Sequence, residues 1–229
     1  RDLSRPRPAL PSPVTRGARG VIFDMDGVLI DSGAHHREAW RALLEELGVT
    51  PAQPDYWRLT IGRPGDDAVP LLLGREVSWP EAKRLADKKR DHYLRLSHRG
   101  LPAVRGVAAF IDELEAREVP RAVATSASRF DVDRLLGRLG LRARFDVVVA
   151  AEDVRFGKPD PEVYLRAAAG LAVPPAECLV FEDSVVGVRA ARSAGMRVIG
   201  VTTAHTEEEL RAAGAARVID DFERLAWPV

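Results

Sequence analysis

The chain has 229 residues, 46% hydrophobic and 30% charged, the balance of a soluble globular protein with one large domain or one domain plus an insertion. Lysine plus arginine equals aspartate plus glutamate at 34 each, so no global field directs the chain to nucleic acid or to an anionic membrane. No apolar run approaches the roughly 20 residues of a spanning helix, and the single cysteine, Cys178, excludes an internal disulfide and points to a reducing cytoplasm.

Residues 1–17 carry four prolines and several arginines without the apolar centre of a signal peptide, and read as a flexible tail. The first residue is not methionine, so the numbering can begin inside a longer natural protein. The first buried element is "GVIFD" (20–24), which runs directly into "MDG". Asp24 and Asp26 thus stand together at the end of an apolar strand. Carboxylates that close repel, and burying either one is costly without a partner. The rest of the chain is expected to supply that partner.

From about residue 34 to 99 only helical signals occur. "HHREAWRALLEELG" places Ala39, Trp40, Leu43, Leu44 and Leu47 at helical spacing, and "PEAKRLADKKRDHYLRLSH" repeats Leu85, Ala86, Tyr93 and Leu96. Beyond residue 100 short apolar runs return: "RAVAT" (121–125), "DVVVA" (146–150), "CLVFED" (178–183), "RVIGV" (197–201) and, as a candidate sixth strand, "ARVID" (216–220). They lack strict alternation, as strands covered on both faces do. Helices are expected between them at 129–139, 161–169 and 184–194, with Ser184 as an N-cap and Gly195 as a stop. Thr206 with Glu209 reads as a capping box. This alternation predicts a doubly wound parallel α/β core (18–33 and 100–229), and the stretch 34–99 predicts an inserted helical cap.

In an open α/β sheet, ligands bind beyond the carboxyl ends of the strands. Four expected strand ends carry polar groups: Asp24 with Asp26, Thr125 with Ser126, the stretch before Lys158, and Glu182 with Asp183. Asp24, Asp26 and Asp183 could bind one hard cation such as Mg²⁺, with Glu182 orienting a metal-bound water. Asp24 is placed to attack phosphorus, and Asp26 to protonate the leaving oxygen and then activate the next nucleophile. Thr125 or Ser126 could hold phosphoryl oxygens, and Lys158 could balance the charge. Taken singly, each motif has a plainer reading as a turn, an N-cap or solvated surface. In order, and each after an apolar strand, they point to one site. Cys178 falls within a strand and reads as core.

"DMDGVLIDS", "ATSAS", "GKPDPE" and "FEDS" resemble the four ordered motifs of the haloacid dehalogenase superfamily of phosphotransferases, a likeness covering about residues 18–225. The resemblance implies a Rossmann-like core with a helical cap after the first motif, in the branch of β-phosphoglucomutases and sugar-phosphate phosphatases. It implies Asp24 as nucleophile, Asp26 as acid/base and metal ligand through its carbonyl, Thr125 and Lys158 as phosphate ligands, and Asp183 holding magnesium with Glu182 close by. Asp26 argues against a dehalogenase. In the cap, Ser32 and His36 fall where the mutases have a hinge hydroxyl and a histidine, and Lys89 matches a cap segment that makes it a substrate contact. A mutase must also grip a second phosphate with a cap arginine. Here Arg63 directly follows Gly62, while the position expected for that arginine holds Gly65.

The expected function is a magnesium-dependent phosphatase of small phosphorylated metabolites, sugar phosphates foremost, working as a monomer or weak dimer without nucleic-acid or membrane partners. The alternative is a β-phosphoglucomutase-like mutase, and a further one from another class is a non-catalytic binding module.

Overall fold

A computed structural model describes residues 18–51 and 53–229, so the tail read at 1–17 lies outside the described residues. Six strands form a wholly parallel sheet: β1 (Gly20–Phe23), β2 (Arg121–Ala124), β3 (Val147–Val149), β4 (Cys178–Glu182), β5 (Arg197–Val201) and β6 (Arg217–Ile219). Their spatial order is β3-β2-β1-β4-β5-β6, the doubly wound Rossmann-like order expected from the alternating pattern. The candidate sixth strand is present at the sheet edge.

Alternating side chains along β1 go to opposite faces. Val21 and Phe23 join one core with Phe181 of β4 and with α4 (Val107–Ala116) and α5 (Arg129–Arg138). Phe23 stacks on Phe181 at 5.2 Å between ring centroids, and Phe110 meets both rings edge-on. Ile22 joins the other core, built on α6 (Glu162–Gly170), α7 (Val185–Ser193) and Leu210 of α8 (Glu207–Ala213). Both central strands are therefore buried on both faces, which is why their sequences read as continuous apolar runs.

The caps follow the sequence closely. Ser184 Oγ accepts from Gly187 N at 3.0 Å, and Thr206 and Glu209 form the reciprocal capping box. Helix α4 was not expected, although Val107, Phe110, Ile111 and Leu114 carry the i, i+3, i+4, i+7 signal.

Between β1 and α4 lie α1 (Gly33–Glu46), α2 (Gly65–Leu73) and α3 (Trp79–Leu96), with a short 3₁₀ turn at Tyr56–Thr60 and no strand among the described residues. These helices bury their own third core of Trp40, Leu43, Leu44, Val69, Leu72 and Leu85. They overhang the carboxyl ends of β1, β2 and β4.

Candidate active site

The strand order reverses between β1 and β4, and that switch point opens a crevice at their carboxyl ends. Asp24 follows β1, and Glu182 and Asp183 close β4; all three are at most 5% exposed. Register pairs Phe23 with Phe181, which brings the two acidic ends side by side. Carboxylate oxygens of Asp24, Glu182 and Asp183 lie within 4.8 Å of one another.

One buried cation answers this cluster. Lys158 Nζ donates to Asp24 Oδ1 at 2.8 Å and to Glu182 Oε1 at 2.6 Å. Burial works against its charge, but the two carboxylates hold the ammonium well above its usual pKa. Glu182 is saturated: Oε1 also accepts from Tyr164 Oη at 2.9 Å, and Oε2 accepts from Ser184 N and Ser184 Oγ at 2.7 and 2.8 Å. It is a structural anion behind Lys158, with no oxygen left to orient a water. Asp183 Oδ2 accepts from Thr203 Oγ1 at 3.2 Å. Burial, Glu182 and Asp24 all push its carboxyl well up. Burial pushes Asp24 up to about 7, against the pull of Lys158.

Three buried carboxylates against one ammonium leave negative charge uncompensated. A second cation would relieve it, and the donors are all hard oxygens of the kind magnesium takes. Gly27 shapes the same spot. At φ +76° it adopts a left-handed backbone, and a Cβ there would overlap Asp183 Oδ2. The residues present thus fit a hard divalent ion.

Asp26 is the exception among the acids proposed for the cation. Its side chain is not part of the carboxylate cluster but turns toward the cap, where Oδ1 accepts from Ser32 Oγ at 2.6 Å and from His36 Nε2 at 3.0 Å. Lys89 Nζ donates to His36 Nδ1 at 2.7 Å. An ammonium has no acceptor, so the imidazole proton sits on Nε2 and points at Asp26. Burial pushes Asp26 up, yet His36 and Ser32 outweigh it and hold the carboxyl below its usual range. Burial, aided by the Lys89 charge, lowers the His36 pKa. His36 also stacks on Tyr93 at 4.1 Å, and Lys89 lies over the Tyr93 and Trp40 rings at 5.2 and 5.0 Å.

Thr125 follows β2 at 2% exposure, with Oγ1 accepting from Ala127 N at 3.0 Å. Ser126 instead donates to Gly62 O at 3.1 Å, tying the second motif to the cap. Arg63 lines the cavity, and among the described residues its guanidinium has no partner. Asp24, Asp26, Ser32, His36, Arg63, Lys89, Thr125, Ser126 and Asp183 line one cavity of about 670 Å³, whereas Glu182 and Lys158 do not. A side cleft of about 340 Å³ shares Thr125 and Ser126 with it and is lined by Lys158.

Sequence reasoning did not single out Tyr164, Thr203 or the Arg90–Asp131 contact. Tyr164 lies on helix α6, and nothing local in the sequence links its hydroxyl to Glu182. Thr203 follows β5, the strand end that carried no motif. Arg90 Nε reaches the buried Asp131 at 3.1 Å, a pairing across 41 residues that no local spacing reveals.

The comparisons with known proteins agree with this geometry. A family model described as haloacid dehalogenase-like hydrolase matches residues 18–195. Validoxylamine A 7'-phosphate phosphatase of Streptomyces hygroscopicus subsp. limoneus is 36% identical over 91% of this chain and 96% of its own. The phosphorylated carbohydrates phosphatase of Thermotoga maritima is 36% identical over 90% of this chain and 95% of its own. The crystal structure of β-phosphoglucomutase from Clostridium difficile superposes with a TM-score of 0.81 at 25% identity, covering 92% of this chain and 94% of that one. With the motifs assembled at one switch point and a family model spanning most of its length, the chain belongs to the haloacid dehalogenase-like hydrolases.

Proposed function

We propose that the protein is a magnesium-dependent phosphatase of phosphorylated sugars that works through a phosphorylated Asp24. The observation that carries this reading is the position of Asp24, between the buried Lys158 ammonium and the Asp183 carboxylate at the sheet's switch point. Asp24 and Asp183 would hold the ion, with the main-chain carbonyl of Asp26. When bound, magnesium neutralises the clustered carboxylates and the phosphate oxygens they must approach.

Lys158 engages Asp24 Oδ1 and leaves Oδ2 without a protein partner among the described residues. That oxygen attacks phosphorus, the bond to the leaving oxygen breaks, and Asp26 delivers a proton to it. In the free protein Asp26 is held as a carboxylate by Ser32 and His36. Exchanging those bonds for the leaving oxygen when substrate binds removes what keeps its pKa low, so Asp26 takes up a proton from solvent before passing it to that oxygen. Asp26 then takes a proton from water as the water attacks the aspartyl-phosphate, releasing phosphate and restoring Asp24. Thr125, Ser126 and Lys158 would hold the phosphoryl oxygens. The lone buried thiol of Cys178 supports a cytoplasmic setting.

Magnesium-dependent release of phosphate from p-nitrophenyl phosphate and sugar phosphates, lost in Asp24→Asn, is the expected result. Full activity in that variant would remove the mechanism.

One observation favours a second reading, a phosphosugar mutase: Arg63, without a partner among the described residues, could grip a second phosphate. β-Glucose 1-phosphate with a trace of the 1,6-bisphosphate separates the two. Free phosphate is expected, and glucose 6-phosphate accumulating without it would establish the mutase.

A further inference from the structure

Helix α3 lays one stripe along the cavity wall. Trp79, Lys83, Ala86, Asp87 and Arg90 recur at helical spacing and all line it. The inner part of the helix meets the catalytic groups, since Lys89 bonds His36 and His36 bonds Asp26. Trp79 opens the helix ten residues earlier, about 15 Å of helix axis from Lys89. There it is 68% exposed, with no ring or cation stacked on it among the described residues. It borders both the main cavity and the side cleft, which share Pro64 and Asp66 as further walls.

An exposed tryptophan in the wall of a functional cavity offers a flat apolar face, here with no partner among the described residues. A single hexose phosphate, roughly 8 Å long at ordinary bond lengths, is shorter than the roughly 15 Å of helix axis between Lys89 and Trp79 and cannot touch both. It also underfills the space. At the packing density of organic crystals a hexose monophosphate occupies roughly 250 Å³, against a cavity of about 670 Å³. A second ring brings the ligand to the outer turn of α3.

The groups around Trp79 suit a neutral, hydroxylated ring better than a second phosphate. Lys83 is paired with Asp87 at 3.1 Å, and Asp66 and Asp67 add further acids. Asp66 has no partner among the described residues and offers a free acceptor to a sugar hydroxyl.

We propose that Trp79 is a specificity residue, a stacking platform for a second ring of the leaving group, so that monophosphates of two-ring saccharides are preferred over those of single hexoses. The proposal rests on the phosphatase reading above.

The test compares kcat/KM for trehalose 6-phosphate, sucrose 6-phosphate and maltose 6'-phosphate with that for glucose 6-phosphate and fructose 6-phosphate, with p-nitrophenyl phosphate as the common control. Wild type, Trp79→Ala and Trp79→Phe are measured, each with its melting temperature. At least one disaccharide monophosphate is expected to exceed both hexose phosphates by about tenfold, as a well-packed aromatic contact provides. Trp79→Ala should remove that preference while hexose phosphate and p-nitrophenyl phosphate turnover stay unchanged, and Trp79→Phe should keep most of it. Hexose phosphates matching or exceeding every disaccharide, or a Trp79→Ala loss equal on all substrates at unchanged melting temperature, overturns the role of Trp79 alone. Failure to turn over p-nitrophenyl phosphate as well overturns the phosphatase reading beneath it.

Discussion

Lys158 and Glu182 form a buried ion pair, Nζ to Oε1 at 2.6 Å, and the same ammonium holds the proposed nucleophile Asp24 at 2.8 Å. Removing one partner of a buried pair leaves an uncompensated charge, which typically costs about 3–5 kcal/mol. Lys158→Ala is therefore expected to destabilise the fold by about that much and to abolish phosphatase activity. Lys158→Met combined with Glu182→Gln should recover part of the stability, because Glu182 then carries no stranded charge and only Asp24 loses its cation, while activity stays lost. Urea unfolding of the single and double variants checks this. A double variant as unstable as Lys158→Ala would show that the lysine matters through packing and not through its charge.

The turn of Asp26 away from the carboxylate cluster fits the proposed role at the leaving group, and the two half-reactions should then respond differently to its loss. p-Nitrophenolate needs no proton to depart, whereas a sugar alkoxide does. In Asp26→Asn, sugar phosphate turnover should fall by about 10²–10⁴, the usual range for general acid–base catalysis. With p-nitrophenyl phosphate the variant should release a rapid burst of one p-nitrophenolate per enzyme and then stall at the aspartyl-phosphate. Rapid-mixing absorbance at the nitrophenolate band reads it directly. Unimpaired steady-state hydrolysis of both substrates would remove Asp26 from the mechanism.

Gly27 is the one residue of the first motif whose lack of a side chain the site requires. Its Cβ would overlap Asp183 Oδ2, and its φ of +76° is strained for any other residue. Gly27→Ala should displace Asp183 and weaken the ion's hold. We expect at least tenfold more magnesium for half-maximal activity, with Mn²⁺ affinity by calorimetry weakened to match, since misplaced ligand geometry commonly has effects of about 10–100-fold. Unchanged Mn²⁺ affinity would place the ion away from Asp183.

Much of this was legible before any coordinates. The strands and their polar ends could be read because β1 and β4 are buried on both faces, so apolar runs end abruptly where the crevice begins. The Ser184 N-cap and the Thr206–Glu209 capping box were legible because their chemistry is local. What stayed hidden depended on distant partners. Nothing in "FEDS" says that Glu182 is filled by Lys158, Tyr164 and Ser184 while its neighbour Asp183 stays open to the cavity. Likewise "DMDG" does not say that Asp26 turns to Ser32 and His36. Strand pleat and cap approach decide those directions, and both are set by the assembled sheet.

Lys89 carries the last expectation, a pH dependence. Burial pushes its ammonium down to about 8, against the pull of Asp26 and Asp131. Below about pH 8 it donates to His36 Nδ1, which fixes the imidazole proton on the side of Asp26. As the pH rises through 8 the ammonium is lost and that tautomer is no longer enforced. Sugar phosphate kcat/KM should therefore show an alkaline limb with a midpoint about 8. Stability runs the other way. Between about pH 8 and the ordinary lysine pKa the unfolded chain holds a proton that the folded one has shed, so folding becomes more favourable as pH rises. Lys89→Met should flatten both profiles, and Lys89→Arg, charged throughout, should abolish the alkaline limb while preserving the hydrogen bond to His36. A limb that persists unchanged in Lys89→Met would assign it to another group.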